Sequence, residues 1–256
     1  MPGRPSNRAQ RESPTFKPAA LDQDYLLGDS MRGLRFQLEY EKAEEALRGF
    51  GIVSTLVVFG SSRVRESSPG RQGRWYAEAR EFGRLASLEG GAARPQDGRF
   101  HNVIATGGGP GVMEAANRGA FEAGAPSIGF NITLPRGQTP NPYTTPELTF
   151  CFHYFAMRKM HFAMRAKALV VFPGGFGTLD ELFELLTLVQ TRKAPPTPIV
   201  LVDEDYWRSV VNFDRLAEYG AIGREDRDIA RYAEDAASAW ATLMRAGVGK
   251  DSSRRG

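Results

Sequence analysis

The chain has 256 residues, of which 41% are hydrophobic, and a formal net charge of +3. These values are typical of a globular domain with a full apolar core, and a single cysteine excludes a scaffold held by internal disulfides. The positive charge lies in the termini, because residues 1–20 carry +3 and residues 250–256 carry +2, which leaves −2 for the rest. Since a fold that grips nucleic acid needs a basic face of its own, nucleic acid is not expected as a partner.

The two ends of the chain differ from its middle in composition. Residues 1–22 are rich in Pro, Ser and Arg and are predicted to form a disordered basic tail, as are residues 250–256. The N-terminus lacks the apolar core of a secretory signal, and no segment reaches the roughly 18 apolar residues of a membrane span. We therefore expect a cytoplasmic protein with no membrane partner.

Residues 23–50 are predicted to form a helical extension that packs on the edge of the main domain. Within them, residues 31–48 show helical spacing, with charges outside an apolar stripe that consists of Leu34, Phe36, Leu38, Tyr40 and Ala43. The main domain is predicted to follow over residues 51–249.

From residue 51 onward, short apolar runs alternate with helical patterns. The predicted strands are 55–59, 102–106, 127–132, 148–152, 168–172 and 198–202. The predicted helices are 74–89, 111–124, 153–166, 179–193, 205–220 and 225–246. Strands that are apolar throughout are buried on both faces. The alternation therefore predicts a doubly wound, Rossmann-like α/β fold, in which helices cover both faces of a parallel sheet.

Small residues follow three of these strands, where doubly wound folds bind their ligands. They are Gly60, Ser61 and Ser62 after the first strand, Gly108, Gly109 and Gly111 after the second, and Gly174, Gly175 and Gly177 after the fifth. Glycine lets an anion approach the backbone, and the amides and dipole at a helix start attract it. The loops predict a phosphate-bearing ligand. They match neither the ATP pattern GxxxxGK[ST] nor the dinucleotide pattern GxGxxG, so a smaller nucleotide fits better.

Charged residues accompany the third of these loops. Asp180 and Glu181 lie in the first helical turn after it, and because adjacent helical residues point about 100° apart, only one of them can face a ligand. Arg158 and Lys159 precede it among apolar residues, where a cation needs an anionic partner such as a carboxylate or a phosphate. The three histidines lack the spacing of a metal site, so no metal is expected.

PGGFGTLDE (173–181) resembles the PGGxGTxxE signature of the LOG family, which comprises cytokinin riboside 5′-monophosphate phosphoribohydrolases. GGGPGVME and VVFGSS resemble two further segments of that family, and YFAMRK takes the place of its M-H-x-R-K segment. The resemblance covers about residues 50–220. Phe155 and Ala156 replace the methionine and histidine of the family, and Glu114 replaces a glycine, which leaves the preferred base open.

The resemblance implies hydrolysis of a nucleoside 5′-monophosphate, AMP or a cytokinin-type riboside monophosphate, to free base and ribose 5-phosphate, without a cofactor. It implies that Glu181 acts at the ribose, that Arg158 orients it, and that Lys159 and Thr178 help to bind the substrate. It also implies a homodimer or a higher homo-oligomer. The alternative is a non-catalytic protein of the same fold that binds a nucleotide or a cofactor. The presence of both Arg158 and Glu181 favours the enzyme.

Overall fold

A computed structural model of the chain describes residues 5–135, 137 and 139–249. Within these residues seven strands form one sheet. They are β1 (Thr55–Phe59), β2 (Val103–Thr106), β3 (Ser127–Ile132), β4 (Thr149–Phe152), β5 (Ala166–Val171), β6 (Ile199–Val202) and β7 (Ala230–Ala233). Every neighbouring pair is parallel, and the order across the sheet is β4-β3-β2-β1-β5-β6-β7.

The α-helices of this part of the chain connect or flank the strands. They are α1 (Arg8–Glu12), α2 (Gln23–Leu27), α3 (Arg32–Phe50), α4 (Arg71–Glu89), α5 (Val112–Glu122), α6 (Phe155–Arg165), α7 (Phe176–Gln190), α8 (Glu204–Val210), α9 (Phe213–Glu218) and α10 (Ala236–Arg245). None of them is both long and apolar enough to cross a membrane.

Alternate residues of the central strands face two different helical layers. Leu56 and Val58 of β1 pack in the cluster that contains α4, α5 and α10, while Val57 and Phe59 pack in the cluster beneath α3, α6 and α7. Burial on both faces explains why these strands are apolar throughout. The predicted doubly wound fold is confirmed.

The direction of winding reverses in the middle of the sheet. After β1 the chain adds β2, β3 and β4 outward on one side, and then returns to place β5 directly beside β1 before it adds β6 and β7. The loops that follow β1 and β5 therefore lead to opposite sides of the molecule and leave a crevice between them. This is the position at which open α/β sheets bind ligands.

Two predicted helices near the C-terminus are wrong. The segment predicted as one helix over 225–246 contains a 3₁₀ turn, strand β7 and α10. In β7, Ala230 and Ala233 are buried and the two residues between them are more exposed. A four-residue pattern of this kind is too short to distinguish an edge strand from an amphipathic helix. The helix predicted over 205–220 divides into α8 and α9, because Val211 is extended and the side chain of Asn212 caps α9.

The N-terminal region contains more local structure than its composition indicates. Residues 5–22, predicted to be disordered, contain α1 and two 3₁₀ turns, which bury none of their residues, and their disorder stays a prediction. Residues 1–4 and the predicted tail 250–256 lie outside the described residues, and the domain boundaries stay predictions. In α3 the predicted stripe is wrong in part: Leu34 and Leu38 are exposed, whereas Ala43 and Leu47 are buried.

Candidate functional site

The carboxyl ends of β1 and β5 open into one cavity of about 680 Å³. The loops after these strands are joined there, because the amide of Ser61 donates a hydrogen bond to the carbonyl of Pro173 at 2.9 Å. Nine predicted site residues line this cavity: Gly60, Ser61, Ser62, Arg158, Gly174, Gly175, Gly177, Thr178 and Glu181. Two of the three predicted loops and both predicted catalytic side chains are therefore brought together.

The first turn of α7 forms one wall of the cavity. Gly175 caps the helix without a side-chain hydrogen bond, and its carbonyl accepts the amides of Thr178 and Leu179, each at 3.0 Å. Among the described residues, the amides of Phe176 and Gly177 have no hydrogen-bond acceptor. A Cβ atom on Gly175 or Gly177 would meet no atom within 4 Å, so packing does not require glycine there. Open amides at the positive end of a helix suit an anion.

Gly174, by contrast, is required by packing. A Cβ atom at this position would overlap the side chain of Thr178. The carbonyl of Gly174 accepts a hydrogen bond of 2.8 Å from the hydroxyl of Tyr206 on α8. Asp203 begins that helix with a φ of 73°, and its carboxylate accepts the indole N–H of Trp75 at 2.7 Å. Tyr206 also lines the cavity, and sequence reasoning missed it, although it follows a strand end as the predicted residues do.

Glu181 and Arg158 form a close pair in the interior of the site. Oε1 of Glu181 lies 3.7 Å from Nη1 of Arg158, and the two side chains are 8% and 12% exposed. Burial raises the pKa of Glu181 from 4.5 to about 7, although the charges of Arg158 and Lys159 oppose the increase. Burial also lowers the pKa of Arg158, against the charges of Glu181 and Asp180. A buried carboxyl that titrates near neutral pH beside a cation is typical of a functional site.

The guanidinium of Arg158 is held from three directions. Its Nε donates to the carbonyl of Phe130, within β3, with a distance of 2.7 Å. Its central carbon lies 5.3 Å from the ring centroid of Phe162. A Cβ atom on Gly107 would come within 2.5 Å of Nη2, so the glycine at that position makes room for the side chain. These contacts leave Nη1 directed toward Glu181.

Asp180 and Glu181 point in different directions, as their helical spacing predicts. The side chain of Asp180 is 56% exposed and pairs with Nζ of Lys159 at 2.9 Å, and Lys159 also pairs with Glu184 at 2.9 Å. Lys159 does not line the cavity. Two carboxylates of α7 thus hold Lys159 outside the lining of the cavity, and its predicted contact with the substrate stays a prediction.

The second glycine loop, after β2, also lies outside the lining. Gly108 and Gly111 have φ values of 67° and 77°, and a Cβ atom on Gly108 would overlap the side chain of Asn131. The carbonyls of Gly108 and Gly109 accept hydrogen bonds from Asn141 at 2.8 and 3.1 Å. Close packing and turn geometry account for Gly108 and Gly111. The predicted contact of this loop with phosphate stays a prediction.

The residues that depart from the family pattern, Glu114, Phe155 and Ala156, do not line the cavity. Glu114 accepts a hydrogen bond of 2.8 Å from Tyr76 on α4, and Ala156 is exposed on α6. Besides Tyr206, six further lining residues were not predicted: Phe59, the exposed Arg63, Met113, Phe176, Leu179 and Val210. Arg63 follows Ser62 directly, so a search for cations at the strand ends would have found it.

The chemistry available at the site is that of main-chain amides, small hydroxyls, a carboxyl and a guanidinium. In the described part of the chain, no group of three or more His, Cys, Asp or Glu side chains lies close enough to hold a metal ion. The arrangement can bind a phosphate on the amides of α7 and present the carboxyl of Glu181 to the group attached to that phosphate.

Known proteins resemble this chain in sequence. A family model described as "Possible lysine decarboxylase" matches residues 113–243, about half of the chain. Over 131 residues the chain is 29% identical to cytokinin riboside 5′-monophosphate phosphoribohydrolase LOG1 of Arabidopsis thaliana, covering 50% of this chain and 60% of the relative. LOG7 of the same plant is 29% identical over 135 residues and is covered to 59%. The chain thus spans about 60% of the length of these curated relatives.

Solved structures share the fold. The X-ray structure of the structural-genomics target TM1055 has a TM-score of 0.53 at 22% identity, with 75% of this chain and 99% of that chain covered. The molybdenum cofactor binding protein of the phototrophic bacterium Rippkaea orientalis has a TM-score of 0.52 at 19% identity, with 76% and 97% covered. At these identities the likeness extends to the Rossmann-like architecture alone.

Proposed function

The chain belongs to the LOG family, and from that premise we propose that it is a hydrolase which cleaves the N-glycosidic bond of nucleoside 5′-monophosphates. AMP and cytokinin-type riboside monophosphates are the substrates we expect, and free base and ribose 5-phosphate are the products. The observation that carries the proposal is the buried Glu181, which lies 3.7 Å from Arg158 and lines the same cavity as the open start of α7.

The 5′-phosphate of the substrate binds the amides of Phe176 and Gly177, with the hydroxyl of Thr178 and the loop after β1 beside it. Glu181 follows Gly177 by four residues, so it lies one helical turn, or about 6 Å, farther along α7. A ribose extending from that phosphate would bring its anomeric carbon near the carboxyl of Glu181.

Glu181 acts as a carboxylate at the sugar. Cleavage of an N-glycosidic bond passes through a state with positive charge on the ribose ring, which a nearby carboxylate stabilises. The C1′–N bond breaks and its electron pair goes to the base, while the oxygen of water bonds to C1′. Water loses one proton when its oxygen bonds to C1′, and this proton neutralises the negative charge of the departing base. Arg158 orients Glu181 and favours its ionised form.

We also propose that the active form is a homodimer or a multiple of one. Phe176 is 94% exposed although it lies between Gly175 and Gly177 at the cavity. Further exposed apolar side chains lie on the neighbouring surfaces of α6 and α7, namely Phe155, Met160, Met164 and Phe183. A second copy of the chain would cover this surface, and light scattering after gel filtration would measure the mass of the assembly.

The function is tested by incubating the protein with AMP, GMP, CMP, UMP and isopentenyl-AMP and measuring free base by chromatography. We expect base release by the wild type and a loss of on the order of a hundredfold or more in Glu181→Ala and Arg158→Ala, as for other transition-state contacts. Asp180→Asn is the matched control, because Asp180 is the adjacent carboxyl and points away from the cavity.

The outcomes separate two functions. A wild type that binds AMP but releases no base from any of the five nucleotides would identify a non-catalytic binding protein, for which the glycine-lined cavity suffices. A Glu181→Ala variant as active as the wild type would show that Glu181 is not the catalytic carboxylate.

A further inference from the structure

The residues that lead into helix α6, which carries Arg158, are bound by α3. Tyr154, which directly precedes α6, makes no capping hydrogen bond with its own side chain. Instead, the carboxylate of Glu39 accepts the main-chain amides of His153 and Tyr154 at 2.7 and 3.1 Å. The carbonyl of Tyr154 in turn accepts the amide of Arg158 at 3.3 Å. Glu39 therefore holds Tyr154, the residue whose carbonyl accepts the amide of Arg158.

The same two helices meet through aromatic side chains. Phe36 packs edge-to-face on Tyr154 with the ring centroids 4.3 Å apart, and Nε of Arg35 donates to the Tyr154 hydroxyl at 2.9 Å. One turn farther along α3, Tyr40 stacks on the buried His161 with the centroids 5.5 Å apart. These contacts extend the interface from the start of α6 to its middle.

The far end of α6 is held by an ion pair. Glu44 accepts two hydrogen bonds from Arg165, the last residue of α6, each at 2.7 Å. The two side chains are 8% and 13% exposed. The hydrogen bonds from Arg165 lower the pKa of Glu44 to about 2, against the effect of burial, so the pair stays charged at neutral pH. A two-point contact of this kind fixes direction as well as distance.

We propose that α3 positions the catalytic pair: Glu39 and Glu44 are positioning residues that fix α6 along its axis and thereby hold Arg158 against Glu181. The inference rests on the proposed function. It adds α3 (residues 32–50) to the elements on which the geometry of the site depends. This helix lies outside the 113–243 segment that the family model matches.

The full chain is tested with Glu39→Ala, with Glu39→Gln as the conservative variant and with Glu41→Ala as the matched control. Glu41 is exposed on the same helix. We expect Glu39→Ala to lower kcat by about 10- to 100-fold, because a displacement near 1 Å can cost that much. KM should change by less than about threefold, since the phosphate-binding loops are not altered. The side-chain oxygen of Gln can accept only one of the two N–H groups that the two carboxylate oxygens accept, so Glu39→Gln should restore kcat in part. Glu41→Ala should match the wild type.

A second measurement does not depend on turnover. The pKa of Glu181 is followed by carbon NMR of labelled glutamate carboxyls, with Glu181→Gln to assign the signal. The groups that face Glu181 are Arg158 and Lys159 on α6 and Asp180 and Glu184 on α7. If Glu39→Ala lets α6 move, Arg158 withdraws and the pKa of Glu181 rises further, whereas in Glu41→Ala it stays as in the wild type.

The outcomes distinguish this inference from the proposed function. If the wild type releases no base, the proposed function fails, and the NMR titration still decides whether Glu39 positions Arg158. If Glu39→Ala keeps both the kcat and the Glu181 pKa of the wild type, the inference is overturned. Circular dichroism checks folding. Should Glu39→Ala not fold, Arg165→Lys carries the same predictions at the other end of α6, because lysine keeps the charge and loses the two-point contact.

Discussion

Glu181→Gln should stabilise the folded protein at alkaline pH while it removes the catalytic carboxylate. Burial raises the pKa of Glu181 from 4.5 to about 7, so the folded protein binds the carboxyl proton more tightly than the unfolded chain does. The stability that this proton contributes is complete below pH 4.5 and is lost as the pH rises through about 7. Glutamine is neutral at every pH and does not suffer this loss.

The magnitude follows from the raised pKa. A pKa difference of one corresponds to about 1.4 kcal/mol, so ionising the buried carboxyl costs the folded state about 3 kcal/mol in full. Between pH 5 and pH 8 about 2.5 kcal/mol of this cost develops. The difference in unfolding free energy between Glu181→Gln and wild type should therefore increase by about 2 to 3 kcal/mol over this range.

Urea unfolding monitored by tryptophan fluorescence measures this difference, in the absence of nucleotide, at several pH values from 5 to 8. The quantity to compare is the change with pH, because contributions of the substitution that do not titrate, such as altered packing, cancel from it. Trp207 and Trp240 are buried and report on loss of the core.

Asp180→Asn is the control, since its side chain is 56% exposed and should give no comparable increase. If the difference for Glu181→Gln stays constant within about 0.5 kcal/mol, or decreases with pH, then the carboxyl is not held neutral by burial. The electrostatic description of the site would then be incorrect.

Three further results are expected. Tyr206→Phe removes the hydrogen bond to the carbonyl of Gly174, so it should lower the unfolding free energy by about 1 kcal/mol and raise KM, as thermal denaturation and steady-state kinetics can measure. The kcat/KM of the wild type should rise with pH and level off above about 7, because Glu181 acts in its ionised form; a flat pH–rate profile would contradict this. Gly177→Ala should fold normally, since its Cβ meets no atom within 4 Å. It should weaken AMP binding in calorimetry by about tenfold or more, the effect of losing about 1.4 kcal/mol, and unchanged binding would place the phosphate elsewhere.

Local patterns in the sequence determined much of this protein. Runs of apolar residues located the first six strands to within two residues at each end, and their alternation with helices gave the fold class. The signature at 173–181 indicated the family. The angle between adjacent helical residues predicted that Asp180 and Glu181 point in different directions. Each of these inferences depends on residues within a few turns of one another.

The tertiary structure alone decided which of those residues meet. The loop after β5 lies beside the loop after β1 because the two strands are neighbours, whereas the glycine-rich loop after β2 packs against Asn131 and Asn141. Tyr206 joins the site from α8, and Glu39 reaches the start of α6 from 114 residues earlier in the chain. The order of the strands and the positions of the helices depend on the packing of many side chains that are distant in sequence. The spacing of residues along one segment does not encode this packing.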